Sequence, residues 1–200
     1  RILGAKSAGA TENAPSVDPR ARPEFGCTNW AVLSDLAMVA NPGELERIRS
    51  VAKAIDASFC DLAVDEFWSH PIEGKWSPAE LLFHLADFDP IICERIKRML
   101  AMDNPAILGA DEDSFSARLS LSSRSMQVEL DVIRSARLQI YHILSGVADS
   151  ELQRSGTHNE RGRIDVIGHL QHLNNHALHH LRHMNEKRIK LGKPAVELPD

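Results

Sequence analysis

The stretch IDVIGHLQHLNNHALHHLRHMNEKRIKL, residues 164–191, decides the fold. It holds six of the ten histidines, has one early Gly and no Pro, and is followed by Gly192 and Pro194. This pattern predicts one long helix with Asp165 as its N-cap. At about 100° per residue, five of its histidines fall within about 80° of one another, with leucines on one flank. One helix face is therefore almost entirely imidazole, and its histidines are His169, His172, His176, His180 and His183.

Three further amphipathic helices precede this one. The first begins at Asn41-Pro42-Gly43-Glu44 and is expected to end near Phe67. The second begins at the capping box Ser77-Pro78-Ala79-Glu80 and runs to about Met102, and the third spans about residues 125–145. No segment clearly predicts a strand. Four such helices predict an all-α four-helix bundle, with some connections long enough to suggest a functional role.

Residues 1–29 differ from the rest of the chain. They are rich in Ala, Gly, Ser and Pro and show no hydrophobic period, so they predict a disordered N-terminal arm. Residues 30–200 then form a single bundle domain. Within it, Trp30 to Ala40 is apolar and is expected to form a short helix or to dock on the core.

The composition excludes several classes of protein. A formal net charge of −5 gives no reason to expect nucleic acid or an anionic membrane surface as a partner. No apolar run is long enough to span a bilayer, and the N-terminus lacks the apolar core of a secretory signal. Cys27, Cys60 and Cys93 have no metal-binding spacing and are expected to be reduced thiols. We expect a cytoplasmic protein that acts on a small molecule.

Two histidines of the last helix have the spacing of metal ligands. His176 and His180 lie one turn apart on one face, which suits two ligands of the same ion. The third ligand must come from another helix: His84 interrupts the apolar stripe of the second helix, and His142 on the third helix is the weaker alternative. Imidazole suits Zn, Ni, Fe or Cu. A solvated polar face is the competing explanation, but the flanking leucines turn this face toward the core, where unpartnered imidazoles are costly.

Three other features carry weaker chemical signals. Asp87, one turn after His84, is a candidate acid/base group or a hydrogen-bond acceptor for a ligand ring. His158 lies in a polar, glycine-containing loop and is a candidate for the cavity mouth. The acidic group Asp111-Glu112-Asp113 is most simply explained as a solvated loop.

Several motifs occur in a fixed order along the chain. They are Trp76-Ser77-Pro78, Leu82-Phe83-His84-Leu85-Ala86-Asp87, Gly156-Thr157-His158, Gly162-Arg163-Ile164 and His176-Ala177-Leu178-His179-His180. Together they resemble the DinB/YfiT-like superfamily, in its DinB_2 branch, over about residues 41–192. The resemblance implies a four-helix bundle whose metal ligands are His84, His176 and His180, and it implies a homodimer. Characterised relatives include S-transferases and isomerases that use bacillithiol or mycothiol, which implies a low-molecular-weight thiol as co-substrate.

The sequence departs from that pattern in two places. Pro90 interrupts the second helix, where it is expected to cause a kink. His183 stands where relatives often carry Gln, so a fourth imidazole could approach the metal and close the site.

Three functions remain open from the sequence. The first is a metal-dependent enzyme, a thiol-dependent S-transferase or a hydrolase, with Zn, Ni or Fe as the ion. The second is a non-catalytic metal-binding or stress-associated dimeric bundle. A haem-binding bundle fits less well, because two histidines one turn apart favour one small ion. A coordination position left free for substrate would indicate an enzyme. A fourth protein ligand on the ion would indicate the non-catalytic bundle.

Overall fold

The structure is a computed structural model that describes residues 42–120 and 122–200. The predicted arm at residues 1–29, the segment from Trp30 to Ala40 and the Asn41 cap lie outside the described residues. The boundary between arm and bundle therefore stays a prediction.

Six α-helices and a small sheet make up the described part of the chain. None of these helices is long and apolar enough to cross a membrane. A short 3₁₀ helix, Asp149–Gln153, precedes the second strand. The helices are α1 (Pro42–Phe59), α2 (Val64–Trp68), α3 (Pro78–Ala101), α4 (Glu112–Leu119), α5 (Met126–Ser145) and α6 (Val166–Lys190), and the strands are β1 (Ala106–Ile107), β2 (Ser155–His158) and β3 (Gly162–Asp165).

The four long helices form a bundle, which confirms the predicted fold class. Helices α1 and α3 each pack against both α5 and α6. Two clusters of buried apolar side chains fill the interior: one includes Phe59 and Phe83, and the other includes Ile96 and Leu170. The predicted apolar stripes therefore face one common core.

The start signals of α3 and α6 act as the sequence predicts. Ser77 Oγ accepts a hydrogen bond from the Glu80 backbone N–H at 3.1 Å, and the Glu80 carboxylate accepts from the Ser77 N–H at 2.7 Å. Asp165 Oδ1 accepts from the Gly168 N–H at 2.7 Å. Both helices that carry the candidate ligands thus begin at fixed residues. Helix α3 continues through Pro90 to Ala101.

The first helix is shorter than the sequence predicts. It ends at Phe59, and the separate helix α2 begins at Val64. The Glu66 carboxylate accepts from the Ala63 N–H at 2.7 Å and so starts the new helix, while Asp61 pairs with Arg188 of α6. The apolar spacing continues across this break, because residues of both helices enter the same core cluster, so periodicity alone could not reveal it.

The expectation that the chain contains no strand is wrong. Strand β1 pairs in parallel with β2, and β2 pairs antiparallel with β3. A Cβ at Gly156 would lie 2.8 Å from the Pro105 carbonyl oxygen, so this close approach requires glycine. Gly162, with φ of +72°, closes the turn between β2 and β3. The predicted loop at 103–123 also contains α4.

A buried ion pair connects the helices through the core. Arg137 of α5 donates to both carboxylate oxygens of Asp89 on α3, at 2.5 and 3.2 Å, and both side chains are fully buried. Arg137 also donates to the Leu173 carbonyl of α6 at 3.0 Å, and the Asn174 side chain of α6 donates to the Glu44 carbonyl of α1 at 3.1 Å. These contacts tie together all four long helices.

Removing one charge of this pair should destabilise the fold strongly. We expect Asp89→Asn to lower the free energy of unfolding by about 3–5 kcal/mol, because Arg137 would remain buried without a carboxylate. Urea denaturation followed by circular dichroism measures the loss. The matched control is Asp103→Asn, which removes a fully exposed partner of Arg154 and should cost less than about 1 kcal/mol.

The double variant Asp89→Leu/Arg137→Met provides a second check. It removes both charges and keeps an apolar filling, so most of the lost stability should return. Equal losses in Asp89→Asn and Asp103→Asn would show that the buried pair does not hold the bundle together.

Candidate metal centre

The structure brings the three predicted histidines together. His84 comes from α3, and His176 and His180 come from α6. Each ring offers one nitrogen, and these nitrogens all lie within 4.8 Å of one another. The Nε2 atoms of His84 and His176 are 2.9 Å apart. The ring of His180 lies with its centroid 4.5 Å from that of His84 and 4.7 Å from that of His176.

This arrangement fits a small divalent ion. Zinc binds imidazole nitrogen at about 2.0–2.1 Å, so two such ligands stand roughly 2.9–3.4 Å apart at octahedral or tetrahedral angles. The separation of the two Nε2 atoms lies at the lower end of that range.

Aromatic side chains hold the rings in place. Trp76, just before α3, stacks on His180 with centroids 6.0 Å apart and an interplanar angle of 10°, and its centroid is 5.2 Å from that of His84. Phe88, one turn after His84, stacks on it at 4.8 Å. These apolar walls restrict the rotamers of the rings and keep water away from part of the cluster.

The three histidines are neutral at pH 7. Burial, opposed weakly by the charge of Asp87, lowers the pKa of His84 to about 4. Burial, followed by the neighbouring imidazoles, lowers the pKa of His180 to about 3 and that of His176 to about 2. Because only a neutral imidazole can bind a metal ion, the site is in its binding state over the whole physiological range.

Two ring nitrogens of the cluster are buried without a partner. The Nδ1 atoms of His84 and His176 have no hydrogen-bond partner within the described part of the chain. Burying polar atoms in this way is costly. The two Nε2 atoms that face each other stabilise one another less than a bound cation would. Metal-binding histidines usually donate their second N–H to a carboxylate or carbonyl, and lacking that partner commonly weakens binding by about 10–100-fold.

Asp87 lies beside the cluster but is engaged elsewhere. Both of its carboxylate oxygens accept hydrogen bonds from Arg124 at 2.9 Å. Arg124 also pairs with Glu129 of α5 at 2.7 Å and lies over the Phe83 ring. Asp87 thus fastens α3 to the start of α5, and its predicted acid/base role stays a prediction.

Glu112 is the group that sequence reasoning missed. Its carboxylate Oε2 lies 4.0 Å from His84 Nε2, and its side chain is 52% exposed. It is the first residue of α4, whose N-cap Asp111 accepts from the Ser114 N–H at 3.0 Å. The residues 111–114 do carry a helix-start signal of the Asp-cap type, which could have shown that this is no simple solvated loop.

The remaining candidates lie apart from the cluster. His142 is exposed on α5, with its ring against Tyr141, and His183 contacts Glu186 through Nδ1 at 3.4 Å. Neither belongs to the ligand group found among the described residues. His158 is buried on β2, where its Nδ1 accepts from the Glu160 N–H at 3.1 Å. Burial raises the pKa of the Cys93 thiol to about 12, so this thiol stays protonated.

Comparisons with known proteins agree with this geometry. Two proteins of Oceanobacillus iheyensis, each named "Putative metal-dependent hydrolase", are 22% and 21% identical over 140 residues, which is 70% of this chain and 81% and 80% of theirs. A solved structure described as "YfiT from Bacillus subtilis is a probable metal-dependent hydrolase with an unusual four-helix bundle topology" superposes with a TM-score of 0.68 at 19% identity, covering 80% of this chain and 92% of that one. The family model of the DinB superfamily matches residues 42–184, so the chain belongs to the DinB superfamily.

Proposed function

We propose that this protein is a divalent-metal-dependent enzyme in which His84, His176 and His180 hold the ion. The observation that carries the proposal is the convergence of three neutral imidazoles from two helices, with donor nitrogens within 4.8 Å of one another. The names of the two Oceanobacillus proteins support the same chemistry. Three nitrogen ligands leave at least one coordination position for a substrate.

An ion at this site would polarise a substrate carbonyl and lower the pKa of a water or thiol. The surrounding residues have separate tasks. Glu112, whose Oε2 lies 4.0 Å from His84 Nε2, would accept a proton from the attacking group and return it to the leaving group. Trp76 and Phe88 wall the cluster and exclude bulk water from it. Asp87, through Arg124, holds α3 in place beneath the ligands.

Hydrolysis is the reaction class that the relatives' names favour. The second candidate is transfer of a low-molecular-weight thiol. The thiol would be an external co-substrate, and the buried Cys93 thiol, which is protonated at neutral pH, would not replace it. Zn, Ni and Fe all suit three imidazoles. We propose a small-molecule substrate and a cytoplasmic homodimer for this enzyme. A non-catalytic metal-binding bundle is the alternative that the experiments below distinguish.

Metal binding should depend on the three histidines. We expect wild-type protein reconstituted with zinc and then desalted to hold one equivalent, and His84→Ala, His176→Ala and His180→Ala each to lose most of it. Inductively coupled plasma mass spectrometry measures the content, and circular dichroism checks that the variants fold. The control is His179→Ala, whose exposed side chain is the immediate neighbour of His180. Equal zinc content in all variants would contradict the assignment of these three histidines as metal ligands.

Glu112 and Asp87 should respond differently to loss of charge. We expect Glu112→Gln to keep its zinc and to lower kcat by about 10²–10⁴-fold, because the variant lacks the group that moves the proton. Asp87→Asn should keep most of its kcat and lower the free energy of unfolding, because its ion pair with Arg124 is lost.

The assays would use p-nitrophenyl esters for hydrolysis, and 1-chloro-2,4-dinitrobenzene with bacillithiol or mycothiol for thiol transfer. A loss of kcat in Asp87→Asn with unchanged stability would instead assign the acid/base role to Asp87. Bound zinc with no turnover in either assay would favour the non-catalytic bundle.

Acid should destabilise the metal-free protein before its carboxylates titrate. His84 and His169 have pKa values near 4 in the folded protein because they are buried, against about 6.5 in an unfolded chain. Below pH 6.5 the unfolded state therefore binds more protons, and stability falls as the pH falls toward 4. Each of these residues contributes up to about 1.4 kcal/mol per pH unit.

Urea denaturation of chelated protein between pH 7.5 and 5 measures this slope. His169→Gln should reduce it, whereas His142→Gln, which changes an exposed histidine of α5, should leave it unaltered. A stability that is flat between pH 7.5 and 5 would contradict the burial of neutral imidazoles.

A further inference from the structure

One buried arginine lacks the partner that the others have. Arg95 of α3 is 9% exposed, yet no carboxylate lies within 4.0 Å of it among residues 42–120 and 122–200, and its one hydrogen bond is to the Leu108 carbonyl at 2.5 Å. A buried cation without a counter-charge is costly. The other arginines that reach into the bundle each grip a carboxylate with two nitrogens: Arg124 with Asp87, Arg134 with Asp56, Arg137 with Asp89, and Arg188 with Asp61.

The neighbours of Arg95 are further hydrogen-bond donors and cations. Arg161, on the turn between β2 and β3, adds to burial in lowering the pKa of Arg95. The pKa values of His158 and His169 are lowered mainly by burial and secondly by the charge of Arg95. His169 is 3% exposed, and its Nε2 is buried with no partner in the described part of the chain.

His158 supplies a donor of known identity. Its Nδ1 accepts from the Glu160 N–H at 3.1 Å, so in the neutral ring the proton resides on Nε2. His158 is 5% exposed. Leu108, whose carbonyl accepts from Arg95, follows Ile107, which pairs with His158 between β1 and β2. The Arg95 guanidinium therefore lies beside the strand that carries His158 and the turn that carries Arg161.

Carboxylates near this cluster do not neutralise it by contact. Glu94 and Glu160 raise the pKa of Arg95 through their charges. Glu94, however, pairs with Arg98. The Glu160 carboxylate packs against Gly109, and its Oε1 would be 2.6 Å from a Cβ added at that glycine. Arg95 also lines a cavity of about 250 Å³ between α3 and β1, together with Glu94 and Arg98.

The cluster lies along the same seam between α3 and α6 as the three-histidine centre. His172 joins the two, with ring centroids 5.7 Å from His176 and 6.4 Å from His169. The rise of a helix places His169 about 10 Å from His176 along α6, and Arg95 about 16 Å from His84 along α3. A small molecule of peptide-like length can therefore reach both ends.

We propose that Arg95, Arg161, His158 and His169 form a binding site for the carboxylate or phosphate group of an elongated substrate whose reactive end lies at the three-histidine centre. The anion takes the place of the missing carboxylate of Arg95, and His169 Nε2 and His158 Nε2 bind its oxygens. The assignment of the anion to the substrate rests on the proposed function, but binding of the anion itself does not.

The first test uses metal-free wild-type protein and inorganic phosphate or succinate as probes. Differential scanning fluorimetry at constant ionic strength, with chloride as the reference, should show a saturable rise in Tm with either probe. Arg95→Met and Arg161→Gln should each weaken the apparent affinity by about tenfold or more, the loss expected for one charge-assisted hydrogen bond. Arg182→Met, which changes an exposed arginine of α6, should leave the response unchanged.

Stability without the probe gives an independent readout. Arg95→Met removes a buried, unpaired charge and should keep or raise the Tm in chloride. A purely structural role for Arg95, through its bond to Leu108, predicts a lower Tm and an unchanged response to phosphate. A rise in Tm that is the same in chloride, or the same in Arg95→Met, overturns the proposal.

The second test asks whether the anion belongs to the substrate. Cobalt-loaded protein is titrated with mercaptoalkanoic acids of increasing length and with the matching uncharged alkanethiols, and the visible spectrum reports thiolate binding. The acids should bind more tightly than the alkanethiols only above a threshold length, and Arg95→Met should abolish that advantage.

The two tests separate the two proposals. No cobalt binding together with a phosphate response would reject the metal site and retain the anion site. Cobalt binding without a length-dependent advantage of the acids would reject the link between anion and substrate.

Discussion

The ion pair of Arg137 and Asp89 is the constraint on which the rest of this structure depends. Two fully buried charges cost several kcal/mol to desolvate, and that cost is offset only when each hydrogen-bonding group finds its partner. Here the partners come from different helices. The Arg137 guanidinium also donates to the Leu173 carbonyl of α6, and the neighbouring Asn174 side chain donates to the Glu44 carbonyl of α1. An apolar core alone tolerates sliding of one helix along another, whereas this network has one correct alignment of α3 with α6.

That alignment places the metal centre. Asp89 lies five residues after His84 on α3, and Asn174 lies two residues before His176 on α6. Once the ion pair is formed, His84 can lie only opposite His176 and His180. The histidine cluster is itself a poor source of stability, since two of its ring nitrogens are buried without a partner among residues 42–120 and 122–200. The bundle therefore holds the ligands together in the absence of an ion, and the cost of doing so is met by the apolar clusters on either side.

The sequence predicts those features of the structure that depend on contacts between residues close together in the chain. The caps at Ser77 and Asp165, the helical period of α3 and α6 and the ligand spacing of His176 and His180 could all be seen without a structure, because each involves neighbours within one or two turns. His84 can be identified from the sequence because it interrupts a helix stripe that is otherwise apolar. The family resemblance gave the same three residues.

The features that were missed have non-local causes or weak local patterns. Strand β1 has two residues and exists because Gly156 admits the Pro105 carbonyl, a contact across about fifty residues of sequence. Helix α4 has no buried residue, so it shows no apolar period, and Glu112 looked like part of an acidic loop. Nothing in the sequence near Arg95 shows that no carboxylate contacts it within the described residues, because Arg134, Arg137 and Arg188 obtain their buried partners from other helices or from a turn.

The charges along the α3–α6 seam suggest how a substrate would be selected. Three neutral imidazoles leave both charges of a divalent ion uncompensated, and Glu112, at 4.0 Å from His84, is half exposed. Arg95 and Arg161 at the other end are likewise without contacting carboxylates in the described residues. With a divalent ion bound, this seam would carry uncompensated positive charge in a chain whose net charge is −5. Because positive charge in a cleft focuses the field on incoming anions, an anionic substrate would be attracted to it.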